Sequence, residues 1–180
     1  ALYWRRNEDH YVFIRDKPEI FENFHTSNTI GSEIQASYTS ALGITGVGLE
    51  YRKELLESTN LGNRDRDVYG AFLEHRMYLL KKKLVLTPGV YLNQYTDFNL
   101  TAFPGIDATY EVSTKLSFFG NASTAARIPT YTDLYYVGPN NVGNPELKPE
   151  LGYNYELGAR FTEKQFYAAA SAYYKQTTDL

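Results

Sequence analysis

Apolar and polar residues alternate with a period of two along most of this chain, the pattern of strands that show one face to an apolar medium. In TIGSEIQASY, Ile30, Ile34, Ala36 and Tyr38 fall on one face and Gly31, Glu33, Gln35 and Ser37 on the other. ITGVGLEYRKE sets Val47, Leu49 and Tyr51 against Gly46, Gly48, Glu50, Arg52 and Glu54. DVYGAFLEHRMYLL separates Ala71, Leu73, Met77 and Leu79 from Gly70, Glu74 and Arg76, with His75 on the apolar side and Phe72 on the polar one. LVLTPGVYLNQY continues the pattern, and GIDATYEV places Ile106, Ala108, Tyr110 and Val112 opposite Asp107, Thr109 and Glu111. HRMYLLKKKLVL and YRKELLEST contain good helix formers. Both stay in phase with a flanking alternation, and Pro88 cuts the first short, so strand is the expectation for each. About nine strands follow.

The connections alternate in length. Short turns are expected near 41–43, 81–83, 113–115 and 163–165, and longer polar segments near 16–27, 57–66, 96–104 and 128–150. In an up-and-down sheet every second connection lies at the same end, so the long ones share one rim. That asymmetry is characteristic of outer-membrane barrels. No stretch approaches the roughly 18 to 20 apolar residues of a transmembrane helix, but bilayer-crossing strands need only about 9 to 11 residues with every second one apolar.

The alternation alone also fits a soluble or surface β-sandwich that binds carbohydrate or protein through Tyr-rich loops. The polar face favours a wet lumen, because it mixes Glu50, Arg52, Glu54, Glu74, Arg76, Glu111, Arg127, Glu156 and Arg160 with Gly and Tyr. The opposite face gathers Ile30, Ile34, Val47, Leu49, Leu73, Leu79, Val90, Leu92, Tyr110 and Leu157 into an outward apolar band. Composition agrees with a sheet protein: 17 Tyr and 10 Phe stand beside one Trp in 180 residues. A net charge of −3 without a basic run gives no footprint for nucleic acid. The absence of cysteine excludes a disulfide framework and a thiolate metal site.

Recognisable catalytic and metal motifs are lacking. His10, His25 and His75 lack metal-ligand spacing, and no P-loop, G-x-S-x-G or G-x-G-x-x-G occurs. NRDRD, from Asn63 to Asp67, places oxygen ligands at every second position as a calcium loop does, but Arg64, Arg66 and the missing distal Glu argue against one. The sequons at Asn99 and Asn121 read as ordinary polar residues. The expectation is a protein with no catalytic site, no resident cofactor and no metal.

RIPTYTDLYYVGPNNVGNPELKPE interrupts the alternation for 128–150, with prolines at 129, 139, 145 and 149 that disfavour the middle of a sheet. Followed by LGYNYELGARF, it resembles the late-barrel segment of TonB-dependent outer-membrane receptors. The likeness rests on Arg127, Pro129, Thr130, Asp133, Leu134, Tyr135, Gly143, Asn144, Pro145, Leu147, Lys148, Pro149 and Glu150. RRNEDHYVFIRDKP, NFHTSNTIGSEIQASY and GVGLEYRKE are similar to receptors of the cobalamin-transporter branch of Bacteroidetes-type bacteria.

The resemblance implies an all-β, antiparallel up-and-down transmembrane barrel of about 22 strands, closed by an N-terminal plug, that imports a scarce ligand across the bacterial outer membrane with energy from TonB. Residues 1–180 are then expected to be a partial barrel, without the plug domain and the terminal strands. The implied partners are TonB, acting through the plug, outer-membrane lipid, and a small molecule such as cobalamin or an iron chelate. Arg52, Glu54, Glu74, Arg76, Arg127, Glu156 and Arg160 are expected to face the lumen and plug. Arg127 is expected to anchor the plug or the long loop through bidentate hydrogen bonds. Tyr131, Tyr135, Tyr136, Asn140 and Asn141 are the candidate ligand contacts in the extracellular loop. A corrinoid is the expected ligand and an iron siderophore the alternative. Haem finds no support, since no His follows His75.

Overall fold

The computed structural model describes residues 1–138 and 140–178; Pro139 and the end of the TTDL segment, Asp179 and Leu180, lie outside the described residues. Nine strands form one sheet in sequence order, each antiparallel to the next. They are β1 (Leu2–Val12), β2 (Glu22–Ser40), β3 (Gly43–Ser58), β4 (Arg64–Leu79), β5 (Leu84–Tyr95), β6 (Thr101–Glu111), β7 (Leu116–Arg127), β8 (Glu150–Glu163) and β9 (Phe166–Thr178). One short helix, α1 (Tyr131–Tyr135), sits in the connection between β7 and β8. A single meander rather than two facing sheets rules out the sandwich.

The register carries the two-faced pattern across the whole sheet. Leu49 lies opposite Ile34 on one side and Ala71 on the other, and Ala71 lies opposite Leu92. Because opposed residues share a face, the apolar positions of successive strands merge into one band. Its members are open to the surroundings: Ile34 is 70% exposed, Leu49 62% and Leu157 75%. A sheet that leaves such side chains uncovered, with its backbone donors and acceptors paired along eight ladders, suits a hydrocarbon solvent. No helix is long and apolar enough to cross a membrane, a test that says nothing about strands.

The turns and loops follow the expected alternation, with corrected bounds. Segments 16–27, 57–66 and 96–104 are shorter as loops than their polarity suggests, because β2 begins at Glu22, β3 runs to Ser58, β4 begins at Arg64 and β6 begins at Thr101. The four-residue turn after β4 reverses the chain through left-handed backbone at Leu80, Lys81 and Lys82. Pro88, which cuts the helical alternative short, sits inside β5 as the alternation predicts, opposite Ile106 of β6. Its missing N–H shows on the other side, where the β4–β5 ladder lapses between the pairs Glu74–Gly89 and Met77–Leu86. Pro104 acts similarly in β6. The ladder to β7 stops at Gly105–Ser123, and the Thr124 hydroxyl donates to the Pro104 carbonyl at 3.1 Å.

Candidate functional site

The β7–β8 connection is a folded unit with a local reason for each part. Thr130 and Asp133 make a reciprocal capping box: Asp133 N donates to Thr130 Oγ1 at 3.1 Å and Thr130 N donates to Asp133 Oδ2 at 2.9 Å. These bonds start α1 at Tyr131. Arg127 donates to Glu150 Oε1 at 2.6 Å and to Asp133 Oδ2 at 2.7 Å, tying the two ends of the loop to its helix. The chain then folds back, with Gly143 N donating to Tyr136 O at 2.7 Å and Asn144 N to Asp133 O at 2.9 Å. Gly143 is required by this close approach, since a Cβ there would lie 2.7 Å from backbone atoms of Leu134 and Tyr135. Asn144 Oδ1 accepts from Glu146 N at 3.0 Å and fixes the turn at Pro145.

This unit reaches across the polar face to β4, three strands or about 14 Å away. Asn60, in the β3–β4 connection, grips it at two points: its Nδ2 donates to Val137 O at 2.6 Å and its Oδ1 accepts from Val137 N at 3.1 Å. The Arg64 guanidinium lies 3.7 Å from the centre of the Tyr135 ring. Arg66, only 5% exposed, joins three segments at once. It pairs with Asp97 at 2.6 Å, donates to Pro129 O at 3.2 Å and lies against the rings of Tyr131 and Phe98 at 4.9 and 5.3 Å. The buried apolar residues among those described, Leu61, Val68, Tyr95 and Leu134, come from the β3–β4 connection, β4, the end of β5 and α1. The sheet's one cluster of buried apolar side chains among the described residues therefore lies at the rim, where the loop docks.

Two titrating groups respond to this packing. The Asp133 carboxyl is held below the usual carboxylate range, first by the Thr130 N–H and further by the Thr130 hydroxyl and Arg127. Burial pushes the Tyr131 phenol up to about 12, and its oxygen has no hydrogen-bond partner among the described residues.

The expected ligand residues divide. Tyr131 and Tyr135 stack on each other, with ring centres 6.5 Å apart, and are engaged by Arg66 and Arg64. Tyr136 is half-buried, and Asn140 and Asn141 are exposed near the tip of the turn. Beside the loop, Tyr95, Asp97, Phe98, Asn99, Lys148 and Leu151 border an open cavity of about 640 Å³, within the roughly 300–1,000 Å³ of small-molecule sites.

The charged positions Arg52, Glu54, Glu74, Arg76, Arg127, Glu156 and Arg160 all fall on the polar face by register. Arg52 bridges Glu50 at 3.1 Å and Glu54 at 2.9 Å, and Tyr91 donates to the second oxygen of Glu50 at 2.9 Å. Arg160 lies 5.1 Å from the Phe119 ring centre. Asn60, Arg64, Arg66 and Asp97 were missed as site residues. For the two arginines the signal was the Arg-Asp-Arg-Asp alternation itself: Asp65 and Asp67 both reach Lys53 on the outward face at 3.2 Å, while the arginines turn to the loop. No three His, Asp or Glu side chains are grouped to hold a metal ion among the described residues.

The sequence profile of the family described as TonB dependent receptor-like, beta-barrel matches residues 2–180. Over 55 residues, 31% of this chain and 9% of the relative, the sequence is 40% identical to the vitamin B12 transporter BtuB of Photobacterium profundum. Among solved structures, the siderophore receptor PirA of Pseudomonas aeruginosa superposes with a TM-score of 0.75 at 21% identity, over 86% of this chain and 32% of PirA. A mutant of the ferric enterobactin receptor PfeA of the same species, in complex with enterobactin, gives 0.79 at 14% identity over 98% and 32%. The copper transporter OprC gives 0.79 at 15% identity over 99% and 35%. The chain thus spans about a third of the length of these solved structures, and identities this low speak to the fold alone.

Proposed function

The chain belongs to the TonB-dependent receptor β-barrel family, a family of outer-membrane transport receptors that bind small molecules, and from that premise we propose that it forms part of the barrel wall of a receptor importing a corrinoid such as cobalamin with TonB-supplied energy. The observation that carries the transport reading is the two-faced wall: an apolar band open on one side, and on the other a polar face roofed at one rim by a docked loop. In this reading lipid covers the band. A plug contributed by the rest of the receptor meets the row of Arg52, Glu50 and Glu54. The ligand arrives at the loop rim, where Tyr136, Asn140 and Asn141 and the cavity beside Lys148 offer polar and aromatic contacts, while Tyr131 and Tyr135 hold the loop's shape. No residue is assigned a catalytic role.

The corrinoid is favoured by the partial likeness to the vitamin B12 transporter. The test is growth of a strain lacking other corrinoid importers, carrying the intact receptor gene and given limiting cobalamin. Rescue by cobalamin supports the assignment. Rescue by iron chelates under iron starvation, with none by cobalamin, replaces it with a siderophore receptor, and rescue by neither removes both ligands.

A further inference from the structure

The short-turn rim, opposite the docked loop, carries a strip of positive charge that the wall's own contacts leave unused. Lys81, Lys82 and Lys83 lie in the β4–β5 turn, Lys115 in the β6–β7 turn and Lys164 in the β8–β9 turn, all exposed. Glu111 and Glu163 lie at the same rim, and Lys115 pairs with Glu163. Among the described residues the ion pairs of lysine belong to Lys53 and Lys115, so Lys81, Lys82, Lys83 and Lys164 have none. The backbone adds a second observation. Leu80, Lys81, Lys82 and Lys164 are the described non-glycine residues with left-handed backbone, at φ from 50° to 71°. Gly or Asn would adopt that conformation with less strain, yet this chain, whose net charge is −3, places lysine there. A turn that gives up its favoured residues for charge points to a use for the charge.

Depth and charge select the occupant. Just inside the turns the outward face ends in rings: Tyr110 lies opposite Leu84 and Phe118, and Phe161 meets Phe166 with ring centres 6.1 Å apart. Such rings mark the headgroup level of a barrel wall, and Lys83 is one residue, about 3 Å, beyond the Leu84–Tyr110 pair. Glu111 N donates to Lys83 O at 2.7 Å and Thr162 N to Lys115 O at 2.8 Å, stitching the β4–β5 turn to the end of β6 and the β6–β7 turn to the end of β8. The lysines therefore form a row along the rim. An ammonium on a flexible stem meets phosphate as a point charge, without the fixed fork of arginine, and a row of them suits the phosphates of a fluid leaflet. We propose that the short-turn rim is a docking strip for anionic glycerophospholipid headgroups of the adjacent leaflet; this rests on the reading of the apolar band as lipid-facing and of the short-turn rim as periplasmic. The strip sets the height of the wall in the bilayer from the side opposite the ligand.

Native mass spectrometry of the full-length receptor, released from micelles holding equal phosphatidylglycerol and phosphatidylcholine, tests it. Phosphatidylglycerol should dominate the bound lipid. Lys81→Gln with Lys82→Gln and Lys83→Gln should lower that preference about tenfold or more, at roughly fivefold per lysine near an anionic surface. Arginine at the same three positions should keep it, and Lys53→Gln, at the opposite rim, should leave it unchanged. Lys81→Asn with Lys82→Gly should raise the thermal midpoint and lower the preference together; a change in neither overturns the exchange of turn stability for charge. No preference in the unaltered receptor, a preference indifferent to the triple change, or an equal loss from Lys53→Gln overturns the strip and leaves the lipid-facing band standing. Unchanged lipid preference with loss of binding to peptidoglycan fragments in the triple variant assigns the rim to that polymer and overturns it too. A cysteine at Thr114 should react with an impermeant maleimide only after the outer membrane is opened. Reaction in intact cells overturns the periplasmic rim itself.

Discussion

Replacing Arg66 with Met should release the β7–β8 loop without unfolding the wall. Arg66 is almost fully buried, donates one bond from Nε to Asp97 Oδ2 with Nη2 ion-paired to the same oxygen, donates one to Pro129 O, and packs on two rings. Removing one partner of a buried ion pair costs about 3–5 kcal/mol when the other is stranded. Asp97 keeps 30% of its side chain exposed and can be rehydrated, so the cost here should be about 2–3 kcal/mol. At about 1.4 kcal/mol per tenfold change, the loop should open roughly 30 to 150 times more often. Hydrogen exchange of the intact receptor in micelles reads this directly. The amides of Leu134, Val137, Gly143 and Asn144, all bonded within or by the docked loop, should exchange faster by that factor, while amides in the β7–β8 ladder stay protected. Arg64→Met removes only a cation–π contact of about 0.5–1 kcal/mol, so its effect should be roughly two- to fivefold. Unchanged loop protection in the Arg66 variant would refute the docking argument, and so would equal loss of protection throughout β7 and β8.

Asp133 supplies a pH signature. Its folded pKa is depressed, so its contribution is fully present above the unfolded value of about 3.9 and is lost as pH falls through the lower folded value. Loop exchange should accelerate in that acid window, and Asp133→Asn should remove the pH dependence. Leu157→Arg, on the apolar band, should cost about 2–4 kcal/mol if the site is near mid-bilayer, read as a lower urea midpoint in liposomes. Asn60→Ala removes both bonds to Val137 and should raise exchange at Val137 by about tenfold, with little effect at Leu134.

How much of this could be read in the sequence depended on where a residue sits relative to the bilayer. Leu49 against Arg52 was legible because hydrocarbon on one side and water on the other enforce the alternation. Asn23, Thr26 and Ser27 looked like loop because no such contrast exists at that rim, although the β1–β2 ladder continues through them. Thr101 to Pro104 were hidden in the same way, and Pro104 keeps its place by pairing with β5 alone. The capping box and the Gly143 approach are local and follow from the motif. The grip of Asn60, Arg64 and Arg66 on the loop is not local: Asn60 and Val137 are 77 residues apart. In sequence those arginines formed only part of an alternation that also resembled a calcium loop.

The central claim is that one face meets lipid and the other an aqueous, plug-bearing lumen, and spin-label accessibility along β3 and β8 tests it most directly. The described chain has no cysteine of its own to remove. Labels at Val47, Leu49, Tyr51, Tyr155 and Leu157 should collide preferentially with oxygen dissolved in the bilayer. Labels at Glu50, Arg52, Asn154 and Glu156 should instead favour a water-soluble nickel chelate or be shielded from both. A period-two swing between these sets confirms the wall; equal nickel access on both faces, or the reverse order, contradicts it.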